Sequence, residues 1–256
     1  MEEQIFVYFI GTAGSGKTYL TKAFSDFLDL KKISYIIVNL DPGADVLPYQ
    51  PDVDVREHFT LDSIMEKYKV GPNGAQIIGA DLVGTIADDL KDEIELYEAK
   101  IVLIDTPGQM ELFTLRRSGE IIVRCFGEDR SVMVYLFDPI VSKTPSGFVS
   151  LAFTASSAVF RLNIPQVLTL SKVDVLDERE VEKIVRWSNN PEDLYNDLTL
   201  ESDKSLSLDL FLMLKDAGLF RPLIPVSAMK MIGMEDIYDA IQEIFYGGED
   251  LEKIYE

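Results

Sequence analysis

Gly11-Thr12-Ala13-Gly14-Ser15-Gly16-Lys17-Thr18 joins an apolar run to a helical pattern, and few folds accept that junction. Gly, four residues, Gly, Lys and then Ser or Thr is the phosphate-binding P-loop. Residues 5–10 before it read as a buried strand, and residues 19–30 after it have helical character. The glycines let backbone N–H groups curl around phosphates, and the helix N-terminus adds partial positive charge there. Lys17 is placed to reach the β- and γ-phosphates, and the Thr18 hydroxyl to bind Mg²⁺.

Further apolar, β-rich runs follow at 34–40, 100–105, 131–138, 166–171 and 223–226, separated by helix-length segments. This alternation implies right-handed crossovers: an α/β fold with a mostly parallel P-loop sheet, helices on both faces and helical insertions. Ligands of such sheets bind beyond the carboxyl ends of the strands. Asn39-Leu40-Asp41-Pro42, Asp105-Thr106-Pro107-Gly108, Asp138-Pro139 and Ser171-Lys172-Val173-Asp174 all fall there. The 256 residues are read as a single domain, 1–256, with insertions at about 45–98 and 177–220. Helices are expected at 63–68 and 75–97, and at least two more in the second insertion, broken near Asn189-Asn190-Pro191.

A formal net charge of −20 argues against a nucleic-acid surface and against docking on anionic lipid. No apolar run approaches the length of a membrane span. Cys125 is the only cysteine, so no intrachain disulfide forms and a reducing interior fits. Met1-Glu2-Glu3-Gln4 lacks the basic start of a signal peptide, and the expected location is cytoplasmic. His58, the only histidine, cannot build a His-rich metal site, so any metal should be Mg²⁺ on oxygen ligands. Residues 249–256 form an acidic tail expected to fray.

Asp105-Thr106-Pro107-Gly108-Gln109 closes an apolar strand. A carboxylate there is where a P-loop enzyme holds Mg²⁺, usually through water. The Gly108 N–H can turn toward a γ-phosphate and the Gln109 amide can orient an attacking water. A plain Pro-Gly turn is the alternative. Ser171-Lys172-Val173-Asp174 stands where GTPases carry Asn-Lys-x-Asp. The aspartate of that pattern accepts from guanine N1 and the 2-amino group, while the lysine stem covers one face of the base. Ser171 replaces the usual Asn with a smaller hydroxyl. Ser227-Ala228 follows the last strand, where a backbone element contacts the guanine carbonyl. Asp41 either reaches Mg²⁺ or its nearby water, or forms a self-bonded Asp-Pro-Gly turn.

Gly71-Pro72-Asn73-Gly74 is, on local chemistry alone, a turn. It sits in the first insertion of a chain with all the elements above. With Gly11–Thr18, Asp41-Pro42-Gly43, Asp105-Thr106-Pro107-Gly108-Gln109, Ser171-Lys172-Val173-Asp174 and Ser227-Ala228, it makes nearly the whole chain resemble the GPN-loop GTPases. The resemblance implies GTP and GDP as substrate and product with Mg²⁺, and a homodimer formed through the region around Gly71-Pro72-Asn73. It implies that each Gly-Pro-Asn loop enters the partner's site, with Asn73 near the γ-phosphate. Eukaryotic relatives are linked to assembly or nuclear import of RNA polymerase, which makes such a client part of the expectation.

Two other readings stand beside this one. A P-loop kinase would use an arginine-rich lid, for which Arg116, Arg117 and Arg124 are the candidates, but Ser171–Asp174 has no role in it. A nucleotide-gated interaction protein would bind without appreciable turnover.

Overall fold

The computed structural model describes residues 4–201 and 205–247; Met1, Glu2 and Glu3 of the acidic N-terminus and the tail at 249–256 lie outside the described residues. The strands are β1 (Ile5–Gly11), β2 (Tyr35–Asn39), β3 (Val53–Asp54), β4 (Ile101–Asp105), β5 (Ser131–Phe137), β6 (Gln166–Leu170) and β7 (Leu223–Pro225). They form one sheet in the order β3-β2-β4-β1-β5-β6-β7, and every pairing is parallel. The helices are α1 (Lys17–Lys31), α2 (Leu61–Tyr68), α3 (Pro72–Thr85), α4 (Ala87–Glu95), α5 (Glu111–Thr114), α6 (Arg117–Phe126), α7 (Pro145–Leu162), α8 (Glu178–Asn189), α9 (Pro191–Leu200), α10 (Ser205–Asp216) and α11 (Met234–Tyr246).

Burial on both faces explains why β1 reads as an unbroken apolar run. Ile5, Val7 and Phe9 pack with Leu20, Phe24 and Leu28 of α1 and with Ile237 and Ile241 of α11. Phe6, Tyr8 and Ile10 point the other way, onto Leu90 and Ile94 of α4 and Ile122 and Phe126 of α6. Each such fully buried side chain stabilises the fold by about 1.5–3 kcal/mol relative to exposure. The central strand is thereby fixed between β4 and β5. Phe9 and Asn39 both stand in register with Asp105, which brings three strand ends to one place.

The first insertion departs from expectation at three points. It returns to the sheet as β3, a two-residue edge strand too short to leave a periodic signal. The helix expected at 75–97 is two helices, broken at Ile86 (φ −109°, ψ 19°). Gly84, Thr85 and Ile86 are poor helix formers in sequence, and the Thr85 hydroxyl donates to the Leu82 carbonyl at 2.7 Å. Gly71-Pro72-Asn73-Gly74 is the start of α3 rather than a turn, with Pro72 at the first helical position and Gly71 extended (φ −78°). Proline suits that position because its missing N–H has no intrahelical partner there anyway. The turn is made earlier, by Lys69 in the left-handed region (φ 55°) at the end of α2. In the second insertion, Asp177 and Glu180 cap the N-terminus of α8 reciprocally, and the chain breaks at Asn190 before Pro191.

Candidate functional site

Between β1 and α1 the P-loop closes over its own backbone. Gly14 (φ 75°) and Gly16 (φ 101°) adopt the left-handed conformation that glycine alone takes without strain. The fifteen-residue α1 opens at the same point and presents its unpaired N–H groups. Lys17 is buried and donates to the carbonyls of Gly11 (2.9 Å), Thr12 (3.1 Å) and Gly108 (2.8 Å). Burial pushes its pKa down to about 8, against the pull of Asp105, Asp41 and Glu111. The Ser15 hydroxyl is buried and has no hydrogen-bond partner among the described residues.

Asp105 ends β4 almost completely buried. Its Oδ2 accepts from the Tyr49 hydroxyl at 2.7 Å, whereas its Oδ1 accepts from no group among the described residues. Burial pushes the carboxyl up to about 6, even though the Tyr49 and Thr18 hydroxyls and Lys17 favour the ionised form. A bare buried carboxylate oxygen next to Thr18 fits a hard cation such as Mg²⁺. No group of three His, Cys, Asp or Glu converges among the described residues, so a cation here would draw on at most two carboxylates, with hydroxyl, phosphate or water oxygens completing its shell.

That strain on Asp105 is measurable. A carboxyl whose pKa is raised on folding stabilises below the unfolded value, 3.8, and loses that contribution as pH rises through about 6. Near neutral pH, Asp105→Asn should therefore stabilise the metal-free protein by about 1–3 kcal/mol in urea unfolding and flatten the fall in stability between about pH 4 and 6. A clear loss of stability would show that Asp105 is well satisfied as it stands.

Asp41 spends both oxygens on backbone N–H groups: Oδ1 accepts from Gly43 at 2.8 Å and Oδ2 from Gly108 at 3.0 Å. The first contact is the self-bonded turn and the second crosses to the end of β4. Behind Asp41, the buried Asn39 accepts from the Asp41 N–H at 3.0 Å and donates to Asp54 at 2.9 Å. Arg56 joins Asp54 (2.6 Å) to the Ala44 carbonyl (2.7 Å). Burial raises the Asp54 carboxyl, but hydrogen bonds from Arg56 and Asn39 outweigh it and hold the group below the usual range. Gly108 is thus held on both sides, its N–H by Asp41 and its carbonyl by Lys17. The exposed Gln109 shares a cavity of about 190 Å³ with Ala13, Asp41, Gly108 and Gln76.

The other end of the loop faces a groove of about 160 Å³ lined by Gly16, Lys172, Asp174, Val226 and Ala228. The Val226 N–H donates to Leu170 (2.8 Å) and the Val173 N–H to Val226 (3.1 Å), lacing the ends of β6 and β7 together. Asp174 Oδ1 accepts from the Ser227 hydroxyl. Lys172, left-handed at φ 51°, lays its stem over Gly16 and bonds the Gly14 carbonyl. Ser171 also lines the groove, and its hydroxyl donates to the Phe137 carbonyl at 2.9 Å. Asn73 is exposed in the first turn of α3.

Tyr49, Asp54 and Arg56 escaped sequence reading, because their contacts depend on a two-residue strand and on a partner 56 positions away. His58 pairs with Glu93 at 3.0 Å. Burial pushes the Cys125 thiol up to about 11, so it is no nucleophile near neutral pH. Arg116 is paired with Asp81 of α3, which removes one candidate from the arginine lid.

Comparison with known proteins bears on this geometry. A family profile described as "Conserved hypothetical ATP binding protein" matches residues 9–247. GPN-loop GTPase PAB0955 of Pyrococcus abyssi is 39% identical over 182 residues, 70% of this chain and 71% of the relative. GPN-loop GTPase 1 of Dictyostelium discoideum is 30% identical over 99% of this chain, and GPN-loop GTPase QQT2 of Arabidopsis thaliana 32% over 91%. The chain spans 66% and 62% of the length of those two relatives. The crystal structure of PAB0955, described as a GTPase in apo form, superposes with a TM-score of 0.85 at 32% identity, covering 94% of this chain and 98% of that one. With the P-loop, the strand-end carboxylate and the Gly-Pro-Asn helix start in their places, the chain belongs to the GPN-loop GTPase family.

Proposed function

We propose that this chain is a Mg²⁺-dependent, dimeric switch that binds GTP and hydrolyses it to GDP and phosphate. The observation that supports this best is the convergence of a P-loop, the orphaned Asp105 oxygen and the Asp174 groove along one sheet edge. Lys17, the P-loop N–H groups and the α1 N-terminus would hold the phosphates. Thr18 and Asp105 would hold Mg²⁺, whose positive charge offsets charge developing on the phosphate oxygens. Asp41 is a further metal candidate, since each of its oxygens keeps a lone pair beside its N–H partner.

Gly108 links binding to hydrolysis in this reading. A γ-phosphate oxygen arriving at the Gly108 N–H would displace Asp41, because the phosphate and the carboxylate are like charges competing for one donor. The freed Asp41 carboxylate and the Gln109 amide would then orient water in line with the scissile bond. The water oxygen would bond to the γ-phosphorus as the bond to the β–γ bridging oxygen breaks; GDP would leave with the electron pair, and the water's proton would pass to a phosphate oxygen, giving inorganic phosphate. Asn73 would come from a second copy. Ile77 on α3, Leu115 between α5 and α6, Ile121 on α6 and Phe153 and Phe160 on α7 are exposed apolar side chains, and Phe160 is 87% exposed, so a covering partner would bury them. The same reading extends to a cytoplasmic setting and to a client outside the dimer, for which the family resemblance offers RNA polymerase. Among the described residues, no helix is long and apolar enough to cross a membrane.

Calorimetric titration of GDP and ADP tests base choice, and matters because the family profile names ATP. GDP is expected to bind on the order of a thousandfold more tightly, since adenine offers Asp174 no donor pair like guanine N1–H and the 2-amino group. Equal dissociation constants would refute the guanine assignment. Gln109→Ala and Asp41→Ala should each slow single-turnover hydrolysis by about tenfold to a thousandfold while leaving GDP affinity nearly intact. An unchanged rate in both would remove them from the mechanism.

A further inference from the structure

Tyr19 is the residue in the nucleotide groove for which the P-loop pattern supplies no role. It follows Thr18 in the first turn of α1, where successive residues turn by about 100°. Lys17 turns toward the phosphate cradle and Leu20 is buried in the core, which leaves Tyr19 pointing elsewhere. It lines the groove that also holds Lys172 and Asp174, and it is 60% exposed. Among the described residues its hydroxyl has no hydrogen-bond partner and its ring no aromatic partner, whereas Tyr8, Tyr49, Tyr135 and Tyr238 are buried. Val175 and Met229, both exposed, line the same groove. Three exposed apolar side chains therefore rim one opening in a chain of net charge −20.

We propose that Tyr19 stacks its ring on the nucleotide base, across the groove from the Lys172 stem. This inference rests on the nucleotide reading above and adds a second recognition element to it. Every base offers a π-face, so stacking gives affinity without choosing the base. Asp174 reads the base edge and sets guanine against adenine; Tyr19 sets how tightly any purine is held. Met229 and Val175 keep water from the edges of the stack.

The experiment measures GDP, ADP and inorganic pyrophosphate affinities of the full chain with Mg²⁺, for the unaltered protein, Tyr19→Ala and Tyr19→Phe. Tyr19→Ala is expected to weaken GDP and ADP alike by about tenfold to a hundredfold, and Tyr19→Phe by about twofold or less. The GDP-to-ADP ratio and the pyrophosphate affinity are expected to stay unchanged. Because the side chain is exposed, the fold should survive, and unaltered pyrophosphate binding checks that the P-loop is intact. GDP affinity unchanged in Tyr19→Ala would overturn the proposal. So would an equal loss for pyrophosphate, which would make Tyr19 a support of the P-loop. If the unaltered protein binds pyrophosphate but no purine nucleotide, the nucleotide reading itself falls and this inference with it.

Discussion

Mixing Asn73→Ala and Lys17→Ala chains should restore GTP hydrolysis that neither variant has alone. Each substitution removes a different part of the site. Lys17 is buried in the P-loop and held by three carbonyls, so its loss disables the phosphate cradle of its own chain. Asn73 lies exposed at the start of α3. Its amide can donate to a phosphate oxygen and accept from the attacking water at once. Pro72 at the first helical position fixes the backbone beside it, which lowers the entropy of holding the side chain in place. In a two-fold dimer the Asn73→Ala chain keeps its P-loop and receives Asn73 from the Lys17→Ala partner. Random pairing makes half the dimers mixed, each with one complete site, so about a quarter of the unaltered activity should return. Each variant alone should fall by about a hundredfold or more. A mixture that stays inactive, with mixed dimers demonstrated by native mass, would place Asn73 in its own chain's site or outside catalysis.

Asp174→Ala should weaken GDP binding on the order of a thousandfold and remove the preference over ADP. The structure gives the reason for so large an effect. Asp174 is anchored by the Ser227 hydroxyl through Oδ1, and Ser227 is itself fixed by paired backbone bonds with Ile232. The carboxylate is therefore aimed before any base arrives, and little ordering entropy remains to be lost on binding. Ser171 donates its one hydroxyl proton to the Phe137 carbonyl and carries no charge, so it offers a base only a single neutral acceptor in place of the Asp174 carboxylate. Competition binding with GDP and ADP against a fluorescent nucleotide checks both effects. If Asp174→Ala keeps the same GDP-to-ADP ratio as the unaltered protein, base choice lies elsewhere in the groove.

What the sequence disclosed follows from how local each signal is. The P-loop is eight consecutive residues, and its spacing already contains the geometry: two left-handed glycines, a helix start, and a lysine folded over the loop. Asp105 was legible because it closes the apolar β4, and Asp174 because it follows four residues after the mostly apolar β6; a parallel sheet brings such ends to one edge. The same local chemistry misled at Gly71-Pro72-Asn73-Gly74. Proline fixes φ equally well for a turn and for the first residue of a helix, and only the neighbouring Lys69 turn and α3 decide between them. Tyr49, Asp54 and Arg56 left no signal because they act through contacts that exist only once β3 has joined the edge of the sheet. The two contacts of Asp41 divide the same way. The Gly43 bond was one of two readings open in the sequence, whereas the Gly108 bond crosses 67 positions and needed the fold.

Single-turnover hydrolysis of GTP with Mg²⁺, followed across protein concentration with native mass in parallel, tests the central claim most directly. The expected result is conversion to GDP and phosphate, with a rate constant that climbs with concentration and levels off where the dimer predominates. GTP left intact at concentrations where the dimer is fully formed, or ATP cleaved at the same rate, would contradict it.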